Sequence, residues 1–563
     1  MRKIVSEIFD PATRYEFEPA TPSDIVRALQ IDAKFGELEL GLVDGTVAAV
    51  AERRGVSRVL TADRADFNVI RVGPRYQRAL TLLPSTDGRP DPGRHGFTWR
   101  NSIAIGAPPH TAARMRRLEN GLPRGSEIAV DFEGDSIPAF EGEPVAVSLL
   151  AAGEQVFSRS VKYHRPRGPF CFAAACSHCL MRVDGVPNVF TCRTRARSGM
   201  RLERQNAFPT AKVDVFASID WMFPRGLDHH EMFAGVPVAE KVMATVARHL
   251  AGLGLLPDSP APSRLPAEIL KTRVAIAGGG AAGLAAAEVL AARETPFILC
   301  EREAFLGGRL AVAAPEPDAP AIANAEAFPA GAARLEAAVI GLYQDEGGFF
   351  LAAVARETDG PRLLKLYADR FLLAVGGHSP ILPFENNDLP GVFSGRAASY
   401  LVRRCGLLAF DRVAMAGHGP ELYRTAELLE RAGAKIVALV DTRAPPPEGG
   451  PALACHGEPI KAHGRSRVTG LSLRRKNGRA RHVRCDGVVI SSPIAPSVEL
   501  ARQGGARVGF RLDLGAFAVE ADDGGRARAP HLYVAGDATG PTSASRAALS
   551  GRRAAEALLE GLR

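Results

Sequence analysis

Polar and apolar positions alternate in short runs from Glu127 to Phe140, EIAVDFEGDSIPAF, which predicts two strands joined by a Gly-containing turn. EPVAVSLLAAG then reads as a short apolar helix, and LMRVDGVPNVFTC as a hairpin with Asp184-Gly185 at its tip. Further along, the pattern changes to strand, helix, strand, and does so twice. In KTRVAIAGGGAAGLAAAEVLAARETPFILCE a β-branched strand, Val274 to Ala277, runs into glycines, an Ala-rich helix and a second strand ending in Glu301. In DRVAMAGHGPELYRTAELLERAGAKIVALVDTR the same order recurs and ends at Asp441. Near the C-terminus a strand in HLYVAGDATG precedes the helix SRAALSGRRAAEALL. STDGRPDPGRHGFTWRNSIAIGAPPHTAAR has no period and is rich in Pro and Gly, which predicts a linker or disorder.

Composition adds a few bounds. A chain of 563 residues should hold three or four domains. Its net charge of +8 comes with no basic run interleaved with aromatics, so no nucleic-acid partner is expected. No uncharged stretch of about eighteen apolar residues occurs, and the N-terminus lacks a signal-peptide core. The expectation is a soluble, cytoplasmic protein with no membrane association.

Candidate chemistry begins with Cys171, Cys176, Cys179 and Cys192, spaced C-x4-C-x2-C-x12-C. A C-x4-C-x2-C run followed by a separate fourth cysteine is the plant-type [2Fe-2S] arrangement, whose thiolates converge on two irons. Zinc also takes four cysteines, but its motifs come as two close pairs rather than a triplet plus one. A disulfide framework fits poorly with a reducing compartment. The order of elements around the cysteines is that of a small β-grasp domain. His178 lies between two ligands, but a Rieske centre needs two histidines in place of two cysteines, so His178 is expected beside the cluster or exposed. Cys300, Cys405, Cys455 and Cys485 are scattered and read as small buried hydrophobes. The adjacent His229 and His230 make a poor metal site, since neighbours on a strand point apart.

Gly278, Gly280 and Gly283 have G-x-G-x-x-G spacing between strand and helix, and Glu301 stands at the distance of a ribose-binding acid. With strand, helix and acid agreeing, dinucleotide binding is favoured over a plain Gly-rich turn. The second unit carries Gly417, Gly419 and Asp441, which suit NAD, but Leu422 occupies the third glycine position. NAD binding and a purely structural role both stay open there.

Leu306-Gly307-Gly308-Arg309, FLLAVGGHSP with Gly376, and VAGDATG with Gly536 and Asp537 resemble the two-dinucleotide-binding flavoprotein family, with Val375 where a threonine is usual. That resemblance implies FAD at the first site, with Asp537 on the ribityl chain, against the alternative of a degenerate fold that holds nothing. RPRGPFC, the four cysteines, VDGVPNVFTC, RLERQNAFP, LAGLGLLP, NNDLPGVFSG, CDGVVISSPIAPSVELARQGGA and VAGDATG carry a second resemblance, from about Met115 to Arg563. The chain there is similar to the α subunit of heterotetrameric sarcosine oxidase and to the corresponding subunits of opine oxidases, hydrogen cyanide synthase and dye-linked proline dehydrogenases. The resemblance implies an electron-transfer subunit whose partner, an FAD-dependent subunit of amine- or amino-acid-oxidase type, oxidises a small amine, imino acid or opine. No catalytic residue for that oxidation is evident in this chain. The folate-binding half of sarcosine oxidase α and the small cysteine-rich module of opine oxidase subunits are missing, which argues against sarcosine as substrate. The rival is a self-sufficient NADH-dependent reductase using Asp441.

DIVRALQIDAKFGELELGLVDGTVAAVAERRGVSRVLTADRADFNVIRV resembles the C-terminal portion of a PIN-domain toxin ribonuclease, with Asp44, Asp63 and Asp66 where late acidic residues of that family sit. The family's opening strand and early glutamate are absent, so a working nuclease is not expected, and a fusion of neighbouring reading frames or a mis-set start codon would explain the segment. The expected organisation is α/β and multidomain. It has a partial PIN-like α/β fragment (1–84), a linker (85–120), a β-grasp [2Fe-2S] ferredoxin-like domain (121–210) and a connecting segment (211–270). A Rossmann-like flavoprotein fold follows, its FAD-binding domain built from an N-terminal stretch (271–389) and a C-terminal stretch (501–563) that flank an inserted NAD-binding-like domain (390–500).

Overall fold

The computed structural model describes residues 115–119, 122–207 except 162, 211, 214, 257, and 265–562 except 324, 358–359 and 446–453. In the first hundred residues it describes 23–24, 27–28, 30–31, 41–55, 58–60, 71–72, 78–79 and 81–83. His229 and His230 lie outside the described residues. The chain divides into two units, Met1–Ala107 and Pro108–Arg563. In the first, Gly41–Arg53 is helical, and Arg58–Leu60 pairs in parallel with Thr81–Leu83. Arg27 and Arg53 bond to Glu52 and Asp24. Asp44 falls on that helix, whereas Asp63 and Asp66 lie outside the described residues.

In the second unit β1 (Glu127–Phe132) and β2 (Asp135–Phe140) form the expected pair, and α1 (Val145–Ala151) follows with its apolar residues buried. β3 (Leu180–Val183) and β4 (Val186–Phe190) make the hairpin, whose tip residues Asp184 and Gly185 both take positive φ. With β5 (Arg201–Glu203) the sheet order is β4-β3-β5-β1-β2, in which β5 lies parallel to β1. This is the β-grasp ferredoxin arrangement.

The first dinucleotide-type sheet begins with β6 (Ala267–Ala277), which starts well before the expected Val274 because Ala267–Thr272 pair with Leu363–Ala368. α2 (Ala281–Ala292), β7 (Phe297–Cys300) and β8 (Ala333–Arg334) extend it. An antiparallel meander of β9 (Ala337–Asp345), β10 (Gly348–Glu357) and β11 (Gly360–Leu373) joins β6 on its other side.

The second sheet has the order β12 (Val392–Ser394), β18 (Gly487–Ser491), β13 (Arg412–Gly417), β14 (Lys435–Asp441), β15 (Ala454–His463), β16 (Gly470–Arg475), β17 (Ala480–Arg484). α3 (Gly395–Cys405) starts on Ser394, whose hydroxyl accepts the Ala397 N–H at 3.1 Å, and stops at left-handed Gly406. α4 (Pro420–Arg431) has Pro at its first turn and buries Leu422, Thr425, Ala426 and Leu429, the spacing of one helical face.

The chain then returns through α5 (Glu499–Gln503) to β19 (Leu532–Val534), parallel to β11, and α6 (Ala544–Glu560). α6 lies on α2 because residue 551 is glycine: a Cβ there would stand 2.0 Å from the Ala282 carbonyl oxygen. The architecture is α/β and multidomain, a ferredoxin-like domain followed by a two-dinucleotide-domain flavoprotein fold. The expected linker ends early, since Arg116–Arg117 pair with Leu407–Leu408. Among the described residues no helix is long and apolar enough to cross a membrane.

Candidate functional site

β6 delivers the chain into the turn Gly278–Gly280 and so into α2. Gly278 has φ +100°, and a Cβ there would lie 2.4 Å from the Ala374 carbonyl oxygen. Gly283 passes so near β6 that a Cβ would lie 1.9 Å from the Gly278 oxygen. Gly280 is different: a Cβ on it would meet no protein atom within 4 Å, although it caps α2. That open space at a helix N-terminus is the cradle a pyrophosphate needs. Gly308 closes over the cradle, its own Cβ position being 3.0 Å from the Gly280 Cα.

Glu301 stands just past β7 and is buried. Its Oε2 accepts the Gly279 N–H at 2.7 Å and its Oε1 the Glu303 N–H at 2.8 Å. Burial pushes its carboxyl above the usual range despite those two bonds. Asp537, beyond β19, is likewise buried and pushed up by burial, against the pull of Arg309 and Arg396. Its Oδ1 accepts the Thr542 N–H at 3.1 Å, and the Arg309 guanidinium lies 3.5 Å from Oδ2. Gly376 takes φ +69°.

Gly278, Gly280, Glu301, Gly308, Arg309, Gly376, Gly536 and Asp537 all line one cleft of about 920 Å³, whereas Gly283 does not. Polar ends, an open phosphate cradle and this size fit an extended dinucleotide such as FAD. Bound there, FAD would supply one- and two-electron redox chemistry.

The four cysteines gather two by two. Cys176 bonds to Cys171, which holds the Cys171 thiol below its ordinary range while Cys176 is pushed up. Cys192 does the same for Cys179. The N–H groups of Ala173 and Ala175 both reach the Cys171 sulfur at 3.3 Å. Among the described residues no three His, Cys, Asp or Glu side chains are grouped to hold a single metal ion. A two-by-two set with N–H donors aimed at sulfur suits two bridged irons better than one tetrahedral zinc. Phe172, Ala174 and Ser177 all have left-handed backbone, a local cost that the folded cage must offset. His178 is partly buried beside the ring of Phe170 and is pushed down to about 4 by burial and Arg167. Cys300, Cys455 and Cys485 are buried, and Cys405 is half-buried.

Sequence reasoning did not foresee that the two sites share walls. Cys171, Phe172, Ala173 and Ala175 line the same cleft as the glycine fingerprint, joined by Arg396 and Tyr400 from α3. Phe170 and Phe172 straddle β12, the edge strand of the second sheet, and the Ser394 N–H donates to the Phe170 carbonyl at 3.0 Å. Phe170 and Cys171 pack with Ala414, Ala416, Val440 and Ile490. Phe172 stacks on Phe393 at 6.5 Å and tilts against Tyr400 at 6.0 Å. Arg165 and Arg167 both pair with Asp388.

Gly417, Gly419 and Asp441 do not line this cleft. Gly417 is required because a Cβ would lie 1.7 Å from the Ser491 oxygen. Asp441 is spoken for: Oδ2 accepts the Tyr423 hydroxyl at 2.6 Å, and Oδ1 accepts N–H groups of Arg443 and Ala444 at 2.9 Å each. Though burial opposes it, the Tyr423 bond and these N–H groups hold the carboxyl below its usual range. Leu422 is fully buried where a third glycine would stand. The second unit therefore carries an incomplete fingerprint.

A family model described as a 2Fe-2S iron-sulfur cluster binding domain matches residues 125–207. Over 476 residues, 78% of this chain, the sequence is 26% identical to "Sarcosine oxidase subunit alpha" of Rhizobium meliloti, covering 46% of that protein. The chain belongs to the sarcosine oxidase α-subunit family. Its cluster region is also 31% identical over 81 residues to "Hydrogen cyanide synthase subunit HcnA" of Pseudomonas aeruginosa, 14% of this chain and 77% of that one. A crystal structure of L-proline dehydrogenase from P. horikoshii superposes with a TM-score of 0.58 at 22% identity, over 80% of this chain and 76% of that one, which shows a shared fold. This sarcosine oxidase α-family chain thus spans less than half the length of the Rhizobium relative.

Proposed function

We propose that this chain is the electron-transfer subunit of a heteromeric amine, imino-acid or opine dehydrogenase or oxidase, working in the cytoplasm. Its partner is an FAD-dependent subunit of amine- or amino-acid-oxidase type, which takes the substrate. The observation that carries the reading is the single cleft in which the dinucleotide fingerprint faces the cluster loop. Gly280 leaves room for the pyrophosphate, Glu301 and Asp537 offer carboxylates to hydroxyls, and Arg309 and Arg396 supply positive charge beside Asp537. The two cysteine pairs would hold the [2Fe-2S] cluster, Cys171 among them lining this cleft, and the rings of Phe172 and Tyr400 add apolar lining beside it.

The NADH-reductase reading is disfavoured by Leu422, buried where the third glycine of a full fingerprint would stand, and by the place of Gly417, Gly419 and Asp441 outside the cleft that the cluster loop lines. Sarcosine does not carry over as substrate from a relative of which the chain covers 46%. The test is to purify the chain with its partner and screen amines, imino acids and opines with an artificial electron acceptor. Turnover by the complex and none by the chain alone is expected. Amine oxidation by the chain alone, or reduction driven by NADH, overturns the proposal.

A further inference from the structure

Glu301 is followed by Arg302 and Glu303, and this dipeptide touches both arms of the cysteine cage. The Arg302 guanidinium donates to the Ala173 carbonyl at 3.3 Å, between the first two cysteines. Glu303 pairs with Arg193, the residue after Cys192, and the Arg193 guanidinium also donates to the Arg302 carbonyl at 3.0 Å. Behind them the Glu303 carbonyl accepts the Glu336 N–H at 2.9 Å, and Glu336 pairs with Arg195 at 2.8 Å. On its other side the Glu303 N–H bonds the Glu301 carboxylate at 2.8 Å. One short segment therefore links the carboxylate offered to the dinucleotide with residues on either side of the cluster ligands. The Arg193 and Glu303 side chains are only 25% and 15% exposed, so solvent screens them weakly.

We infer that Arg193 and Glu303 are positioning residues that set the cluster's midpoint potential and couple it to the occupant of the dinucleotide cleft. This rests on the cluster and flavin assignments above. Reduction adds one electron to an already anionic cluster, so a nearby cation favours the reduced form and a nearby anion opposes it. Arg193 is the cation whose charge interacts with the Cys192 sulfur, and Glu303 is the anion that offsets it. A ligand hydroxyl on Glu301 draws on the same carboxylate that holds the Glu303 backbone, so cleft occupancy bears on the position of Glu303. By linkage, the cluster's redox state bears equally on ligand affinity.

EPR-monitored redox titration of the whole chain with dithionite tests this. Expected are a midpoint above wild type in Glu303→Gln, one below it in Arg193→Gln, and one close to wild type in Arg193→Lys, all measured with the cleft saturated by added FAD. Coincident midpoints in Glu303→Gln and wild type overturn the inference, and so does an Arg193→Lys midpoint that follows Arg193→Gln. If Arg193→Gln loses its iron, Glu303→Gln and Arg193→Lys still decide. A wild-type chain without iron, sulfide or EPR signal defeats the cluster assignment instead, a result that iron and sulfide analysis separates from a failed coupling.

Discussion

A methyl group added at Gly280 meets only open space, whereas one added at Gly283 runs into the backbone of Gly278 at 1.9 Å. The two glycines of one fingerprint therefore serve different ends, ligand access and helix packing. Gly280→Val is expected to empty the cleft of flavin while lowering stability by no more than about 1 kcal/mol, the scale of a helix-cap change. Gly283→Ala should destabilise the domain by about 3 kcal/mol, the upper end of the usual cost of overpacking, and lower its melting temperature. Flavin absorbance and thermal melts, measured side by side, separate the two. Asp537→Ala removes one charge-assisted bond and should weaken FAD binding by about 1.5 to 3 kcal/mol, read as a ten- to hundredfold rise in Kd. At this scale the sequence was legible wherever the chemistry is local, as with the glycines and cysteines. Asp441 was visible as an acid at a strand end, but its capture by Tyr423 depends on how α4 packs, which spacing does not reveal.

The elements themselves followed from pattern. Alternation marked β1 and β2, Asp184-Gly185 marked the hairpin tip, and the order strand, helix, strand marked β13, α4 and β14. How elements dock did not follow, because each docking contact joins distant residues. Arg193 and Glu303 are 110 residues apart, and Gly551 fits against Ala282 across a still longer separation. Gly551→Val should push α6 off α2, lowering the melting temperature and, because Ala282 lines the cleft, releasing flavin as well. Retained flavin with an unchanged melt would refute the packing role. For the cage, Cys176→Ser should abolish the EPR signal of the reduced protein and lower the yield of folded, flavin-bearing chain, since Cys171 of the same cage lines the cleft and packs in the interior of the second sheet. Stoichiometric zinc without sulfide in the wild-type chain would contradict the cluster assignment.

For the whole molecule, residues 115–119 mark where the second unit takes hold of its own N-terminal end: Arg116–Arg117 pair with Leu407–Leu408, the Leu118 N–H bonds the Gly406 carbonyl at 2.7 Å, and Arg117 bonds Glu143 at 2.8 Å. A chain shortened to begin at Met115 keeps all of these and is expected to retain cluster and flavin spectra. Failure to fold would mean that the first unit supports the second. The cluster loop has a wider consequence. Phe170 and Phe172 clasp an edge strand of a domain far along the chain, and Cys171 lies in that domain's apolar interior. Cofactor assembly and chain closure are then one event: a polypeptide made before iron and sulfide arrive holds thiols where the sheet needs a filled, neutralised cage. Cells starved of iron are expected to lose the polypeptide itself to proteolysis, not merely its colour, so metal supply would govern the abundance of this subunit.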